Sequence, residues 1–252
     1  MTRRILVTRP SGQTEELGRL LLDRGITPLH VPTVAIDADS SAADLDAMLL
    51  GLHGADWLVL TSANGADALA ARLDSIGTRL PETMRVAAVG PATAEVLRAA
   101  NIRVDHVPDE YLTVAIADGL GDLEGQRVVL ARADAATADL HEALLARGAM
   151  VEQVVAYRTV EGPDSSRDRL RAALQQDLDG IAFTSGSTVR GLTRLASPVD
   201  RGRARTLPAF CIGPVTAAEA RHSGFHIAAI APQHTAIGLA DAIAAHFARE
   251  SQ

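Results

Sequence analysis

Moved along itself by 123 positions, the first half of this sequence falls on the second without a gap across several segments. Arg9 meets Arg132, Leu17 meets Leu140, Leu21-Leu22 meets Leu144-Leu145, and Arg24-Gly25 meets Arg147-Gly148. The same frame lays Thr61-Ser62 on Thr184-Ser185, Gly90-Pro91 on Gly213-Pro214 and Thr93-Ala94 on Thr216-Ala217. Coinciding leucines and alanines are common in α/β repeats, whereas a 29-residue spacing from Thr-Ser to Gly-Pro in both halves is harder to dismiss. Solenoids repeat at periods of roughly 20–50 residues, so this frame predicts one duplicated unit and two similar lobes.

Within each half, short β-rich runs alternate with helical stretches, the pattern of an α/β chain with parallel sheets. Strands are expected near residues 4–8, 28–36, 56–61, 85–89, 104–107, 127–131, 150–160, 180–184, 208–212 and 227–230. Helical stripes such as Leu17, Leu20 and Leu21, or Leu140, Leu144 and Leu145, end at Gly25 and Gly148, which suit the left-handed residue after a helix. Two long β-rich stretches, Pro28–Ile36 and Val151–Val160, correspond in the frame. Each is long enough to leave one sheet and cross to another lobe, which predicts a paired hinge.

Composition removes several classes of function. None of the apolar runs approaches the roughly eighteen residues of a membrane span. Met1-Thr2-Arg3-Arg4 leads directly into Ile5-Leu6-Val7 with no secretory leader, so a cytoplasmic protein without a membrane partner is expected. The formal charge of −7 argues against a nucleic-acid partner, which needs a basic face. The sequence holds no lysine: all 24 basic side chains are arginine, so neither a Schiff base nor a P-loop lysine is available. The single cysteine, Cys211, lies in an apolar run and reads as core packing.

Four strand ends share one chemistry: Thr61-Ser62-Ala63-Asn64-Gly65, Gly90-Pro91-Ala92-Thr93-Ala94, Thr184-Ser185-Gly186-Ser187-Thr188 and Gly213-Pro214-Val215-Thr216-Ala217. Each follows an apolar strand and opens a helix. Ser, Asn and Thr cap helices, Pro suits the first turn, and Gly permits close backbone approach. The free N–H groups at such a terminus bind anions, and ligands of open α/β sheets gather beyond the carboxyl ends of the strands. Taken singly, each turn reads first as an ordinary helix cap; four in duplicated register shift the balance toward a site. None forms G-x-G-x-x-G or a Walker loop, which disfavours a nucleotide. Arg9 and Arg132, at equivalent strand ends, can pair with anionic groups bidentately or stand solvated. His222 and His226 have i, i+4 spacing, but Gly224 breaks the helix between them and no metal site is expected. Trp57 opens an apolar strand and reads as core.

The segments Asp56–Leu69 (DWLVLTSANGADAL), Arg85–Leu97 (RVAAVGPATAEVL), Val154–Val160 (VVAYRTV), Gly180–Leu192 (GIAFTSGSTVRGL) and Ala209–Ala220 (AFCIGPVTAAEA) resemble the successive signatures of uroporphyrinogen-III synthases. Ile5–Pro10 (ILVTRP) and Thr235–Ile243 (TAIGLADAI) agree, so the resemblance spans nearly the whole chain in order.

The resemblance implies two α/β lobes of parallel strands flanked by helices and joined by a two-stranded β ladder, with a ligand cleft between them. The lobes would be residues 1–34 plus 161–252, and 38–152, with 35–37 and 153–160 as linker strands. It implies a lyase needing no cofactor, which cyclises hydroxymethylbilane, a linear tetrapyrrole with eight carboxylates, to uroporphyrinogen III with loss of water and inversion of ring D. Tyr157 matches the family's tyrosine beside the cleft, where a phenol can donate to the departing hydroxyl; on residue pattern alone, packing with the hydroxyl at the rim is the alternative. Carboxylates would be held at Arg9, Thr61, Ser62, Gly90, Thr93, Arg132, Ser185, Gly186, Ser187, Gly213 and Thr216. A monomer is expected, meeting the preceding synthase of the pathway only transiently. A non-catalytic relative that binds a small anion is the rival reading.

Overall fold

The computed structural model describes residues 2–10, 15–108 and 115–250. In chain order the elements are β1 (Arg3–Val7), α1 (Glu15–Leu22), β2 (Ile26–His30), β3 (Val34–Asp37), α2 (Ala42–Leu50), β4 (Trp57–Leu60), α3 (Ala63–Ser75), β5 (Arg85–Ala88), α4 (Pro91–Ala99), α5 (Ala115–Gly119), β6 (Arg127–Ala133) and α6 (Asp139–Ala146). There follow β7 (Met150–Glu161), α7 (Arg167–Leu174), β8 (Gly180–Phe183), α8 (Gly186–Leu195), α9 (Pro198–Thr206), β9 (Ala209–Cys211), α10 (Pro214–His222), β10 (Ile227–Ile230) and α11 (Ala236–Glu250). They form two compact units, residues 1–35 with 160–252, and residues 36–159.

Unit 1 has a sheet of order β10-β9-β8-β1-β2, and unit 2 one of order β3-β7-β6-β4-β5. The 123-residue frame equates β1 with β6, β2 with β7, β4 with β8 and β5 with β9, so the order β9-β8-β1-β2 becomes β5-β4-β6-β7. Registers agree residue for residue. Ile5 pairs with Gly180 and its equivalent Val128 with Trp57; Ile181 pairs with Ala209 and its equivalent Leu58 with Val86. All these ladders are parallel. The repeats are therefore interleaved: each unit takes two of these strands from the first half of the chain and two from the second.

Parallel strands covered on both faces must be apolar on both faces, and alternate residues here feed separate cores. In unit 2, Leu58, Leu60, Val129 and Ala131 pack with Leu45 of α2, Leu69 of α3 and Leu97 of α4. Trp57, Val59, Val128 and Leu130 pack on the other face with Ile116 of α5 and Leu140 and Leu144 of α6. In unit 1, Leu6, Ile181 and Phe183 meet α7, α8 and α10, whereas Ile5, Val7, Ala182 and Phe210 meet α1 and α11. Each such large side chain, fully buried, contributes about 1.5–3 kcal/mol.

Two sequence expectations need correction. The stretch 28–36 is two strands: Pro32 interrupts the run, and β2 lies in the sheet of unit 1 while β3 lies in that of unit 2. The strand expected at 104–107 is a single bridge from His106 to Ala87, which is the equivalent of the Ala229–Phe210 pair in the full strand β10. Residues 153–157 of the expected linker strand 153–160 lie in β7, which pairs with β6 from Met150 through Tyr157 and has β3 on its other side.

The chain crosses between units at 35/36 and 159/160, within β3 and β7, which are neighbours in one sheet. Inside unit 1 the segments leading to both crossings are fastened to α8. Gly162 N–H donates to Thr33 O at 2.9 Å, and the Thr33 hydroxyl donates to Thr188 O at 2.8 Å. Gly191 of α8 lies so close that a Cβ there would be 1.9 Å from Thr33 O. Glu161, the last residue of β7, is gripped by Arg190 at 2.7 Å and Arg194 at 3.3 Å.

Cys211 is buried in the core of unit 1, and burial pushes its thiol up to about 11. Three pH units below that value only on the order of 0.1% is thiolate, the reactive form. We therefore expect no labelling by an aromatic disulfide reagent at pH 8 until the protein is unfolded; rapid labelling of the native protein would contradict this packing. Among the described residues no helix is long and apolar enough to cross a membrane, and no group of three His, Cys, Asp or Glu side chains is placed to hold a metal ion.

Candidate functional site

Each unit has one point where successive connections leave neighbouring strands in opposite directions, and open α/β sheets bind ligands there, beyond the carboxyl ends. In unit 2 that point lies between β4, whose chain turns to β5, and β6, whose chain turns to β7. Thr61-Ser62 follows β4, and Arg132 lies at the end of β6. In unit 1 it lies between β8 and β1: Thr184-Ser185 follows β8, and Arg9 follows β1. The topology thus brings together, within each unit, a Ser-capped helix terminus and one arginine. A Gly-Pro turn stands on the next strand outward, at Gly90 after β5 and at Gly213 after β9.

The four turns differ in which amides they leave unspent. Ser62 is extended (φ −156°, ψ 153°), and its hydroxyl accepts from Gly65 N–H at 3.2 Å, a helix cap. Ser185 forms a capping box: its Oγ accepts from Thr188 N–H at 3.2 Å, while Thr188 Oγ1 accepts from Ser185 N–H at 3.3 Å. Its Oγ also shares a hydrogen with Ser187 Oγ at 2.8 Å. The Ser185 side chain is committed to its own turn, and the Ser62 side chain to its turn and to Tyr157, which leaves the first-turn backbone of α8, at Gly186 and Ser187, as the donor there. At Gly90 and Gly213 no side chain caps the helix and proline fills the first position. The first intrahelical bonds run from Ala94 N to Gly90 O and from Ala217 N to Gly213 O, both at about 3.0–3.1 Å. This leaves the N–H groups of Ala92 and Thr93, and of Val215 and Thr216, without acceptors among the described residues. The Thr93 and Thr216 side chains are buried, so what these residues offer is backbone.

The two arginines are unequal. Arg132 is folded onto its own turn, donating to Thr137 O at 2.6 Å and to Ala136 O at 3.4 Å. Arg9 makes no hydrogen bond or ion pair among the described residues. Burial holds the guanidinium pKa of both below the usual value, and Glu16 partly offsets this for Arg9. A half-buried cation without a hydrogen-bonded partner among the described residues favours an anion more than one already bonded to carbonyls.

Tyr157 departs from the rim position that its β-run suggests. It is only 7% exposed and packs in the core of unit 2. Its hydroxyl accepts from Ser62 Oγ at 3.1 Å, and its ring passes Gly65, where a Cβ would lie 3.8 Å from Tyr157 Cε1. The phenol is thereby fixed to the Thr-Ser turn, with its own proton unspent among the described residues.

A fifth helix terminus is absent from the sequence reading. Thr235 Oγ1 accepts from Gly238 N–H at 3.1 Å, and Leu239 N–H donates to Thr235 O at 3.0 Å, which starts α11. The preceding His234 lies on the Gly213 turn, its Cδ2 3.1 Å from where a Gly213 Cβ would be. The signal in the sequence is Thr235 three residues before Gly238, a cap pattern shared with Ser62 and Gly65.

The family model described as uroporphyrinogen-III synthase HemD matches residues 15–241. The chain belongs to the uroporphyrinogen-III synthase family. That family comprises enzymes of tetrapyrrole biosynthesis in the cyclising lyase class. The uroporphyrinogen-III synthase of Synechococcus elongatus is 31% identical over 194 residues, which are 76% of this chain and 74% of that protein. A mutant uroporphyrinogen III synthase from the extremely thermophilic bacterium Thermus thermophilus has the same fold, with a TM-score of 0.62 and 22% identity over 98% of this chain and 99% of that one. So does the uroporphyrinogen-III synthetase from Helicobacter pylori, with a TM-score of 0.61 and 16% identity over 99% of this chain and 100% of that one.

Proposed function

We propose that this member of the family closes hydroxymethylbilane to uroporphyrinogen III, and that the unspent amides of the helix-opening turns hold the substrate's carboxylates. The observation that carries this reading is the pair of switch points, each combining a Ser-capped helix terminus, an adjacent Gly-Pro terminus and an arginine in matching register. An eight-carboxylate substrate supplies anions for such turns. Each charge-assisted hydrogen bond contributes about 1.5–3 kcal/mol.

Loss of the terminal hydroxyl as water leaves a reactive azafulvene, and the pyrrole itself supplies the electrons for ring closure. The protein's task is to fold the chain so that the substituted carbon of ring D is the one within reach, and to keep water away. Backbone amides suit this because they are rigid and need no reorganisation. Val215 supports the assignment: it is 81% exposed beside two unspent amides, an apolar surface for a pyrrole face next to donors for its carboxylate. The Tyr157 phenol, held by Ser62, is positioned by that bond to give its proton to the departing hydroxyl. The reading includes a monomer acting in the cytoplasm, in transient contact with the preceding synthase.

Incubating hydroxymethylbilane with the purified protein and separating the products tests the activity. Isomer III should dominate; a product ratio equal to that of spontaneous closure would leave only the rival reading, a non-catalytic anion binder. Tyr157→Phe should lower the rate partially while isomer III still dominates. It should also cost about 1 kcal/mol of stability through the lost, partly buried hydrogen bond to Ser62. A rate equal to that of the unaltered protein removes the phenol from the mechanism.

A further inference from the structure

The 123-residue frame makes each unit a control for the other, and one difference between them is a cavity. In unit 1, α9 spans Pro198–Thr206, capped by Ser197 Oγ accepting from Asp200 N–H at 3.1 Å. The equivalent residues 75–83 of unit 2 finish α3 and continue as turns, without a second helix. A cavity of about 810 Å³ opens there, within the range of roughly 300–1,000 Å³ typical of small-molecule sites. Leu73, Met84, Val86 and Ile102 give it an apolar floor. It lies where β5 begins, at the opposite end of that strand from the Gly90 turn.

An exposed arginine lies on the corresponding turn in unit 1. Arg205 Nε donates to Ser223 O at 2.9 Å, and Gly224 is so close that a Cβ there would lie 3.1 Å from Nε and 3.2 Å from Cζ. A guanidinium thus rests flat on the turn that closes α10, at the negative end of the helix dipole. The frame maps Arg205, Ser223 and Gly224 onto Glu82, Ala100 and Asn101, and all three line the cavity. Asn101 keeps the left-handed backbone of its equivalent, with φ 60° against 84° for Gly224, so the two turns share their shape. The Ala100 carbonyl, however, accepts no hydrogen bond among the described residues, and an exposed carboxylate, Glu82, stands where unit 1 has its cation. Asp74 adds a second carboxylate to the lining. Of the two arginines there, Arg103 is bound to Asp105 at 2.7 Å and Arg79 is exposed.

We propose that this cavity binds an organic cation with a guanidinium head, seated as Arg205 is seated in unit 1. The head lies on the Asn101 turn and donates to the Ala100 carbonyl and to Glu82, and the ligand's apolar stem covers Leu73, Met84 and Ile102. Such a site is separate from the turns assigned to the tetrapyrrole.

Agmatine, a guanidinium on a four-carbon stem, is the probe, and amide chemical shifts of the full-length labelled protein are the readout. Saturable shifts confined to residues 78–84 and 99–103 are expected. Glu82→Gln should weaken agmatine at least tenfold. Glu82→Arg supplies a tethered guanidinium and should both abolish agmatine binding and raise the melting temperature. The proposal is overturned if the unaltered protein shows no saturable shifts at these residues. It is equally overturned if Glu82→Gln binds agmatine undiminished, or if Glu82→Arg still binds it.

Discussion

Replacing Gly191 by alanine should lower the melting temperature by about 6–12 °C. A Cβ at this position would sit 1.9 Å from the Thr33 carbonyl oxygen and 3.2 Å from Gly162 N. Both are backbone atoms, so relief requires shifting the two segments that lead to the crossings, or α8 itself. The Gly162-to-Thr33 bond at 2.9 Å and the Thr33 hydroxyl's bond to Thr188 would be strained together. Overpacking of this kind costs about 3 kcal/mol, and each kcal/mol moves the midpoint by about 2–4 °C in a chain of this size. Gly202, in the middle of α9 with nothing within 4 Å of its would-be Cβ, is the matched control. Alanine there should stabilise by about 0.5–1 kcal/mol, the helix-propensity gain. Thermal unfolding followed by circular dichroism reads both, and an unchanged midpoint for Gly191→Ala would contradict the packing of α8 described above.

Arg9→Ala should raise the KM for hydroxymethylbilane about 10- to 100-fold with a much smaller change in kcat. The basis is the contrast with Arg132, whose guanidinium already bonds two carbonyls of its own turn. Losing one charge-assisted hydrogen bond costs about 1.5–3 kcal/mol, and uniform loss of substrate binding appears in KM rather than kcat. Arg132→Ala should move KM by only about threefold, since substrate would have to draw that side chain away from Thr137 and Ala136. Its main consequence should be a looser 132–137 turn and a small drop in stability, about 1 kcal/mol for the lost bonds. Equal effects of the two substitutions on KM would remove the distinction between an arginine bonded to its own turn and one that is not.

The sequence and the structure agree most closely where chemistry restricts residue choice. Thr-Ser and Gly-Pro are visible as repeated turns because a helix opening beside a ligand needs a cap, a small residue or a proline, and few others serve. What pairs with what is hidden. Ile5 and Val128 occupy equivalent places, and nothing local says that Ile5 pairs with Gly180 rather than staying beside strands of its own half. On pattern alone Tyr157 reads as a rim residue, because alternation along a strand distinguishes two faces but not how much is packed on each. Here α3 and the Ser62 hydroxyl close over the ring. Arg132 and Arg9 look alike in the sequence, and only the Ala136–Thr137 carbonyls separate them. The segments 76–84 and 199–207 have equal lengths, yet the second is helical; the Ser197 cap, which accepts from Asp200 N–H, and Pro198 in the first turn are the local reason. His234 and Thr235 are hard to single out because the residues the frame sets against them, Tyr111 and Leu112, do not repeat their chemistry.

The interleaving of strands has a consequence for how the chain acquires its structure during synthesis. Unit 2 is one continuous stretch, residues 36–159, and its sheet can close once β7 has left the ribosome. The strands β1 and β2 are translated first but have no central partner until Gly180–Phe183 arrives. At roughly 5–20 residues per second that is a delay on the order of ten to thirty seconds. For that interval the apolar residues Ile5, Leu6, Val7 and Ile26 wait without their central partner strand while unit 2 is made and closes, so strands translated before unit 2 are secured only after it.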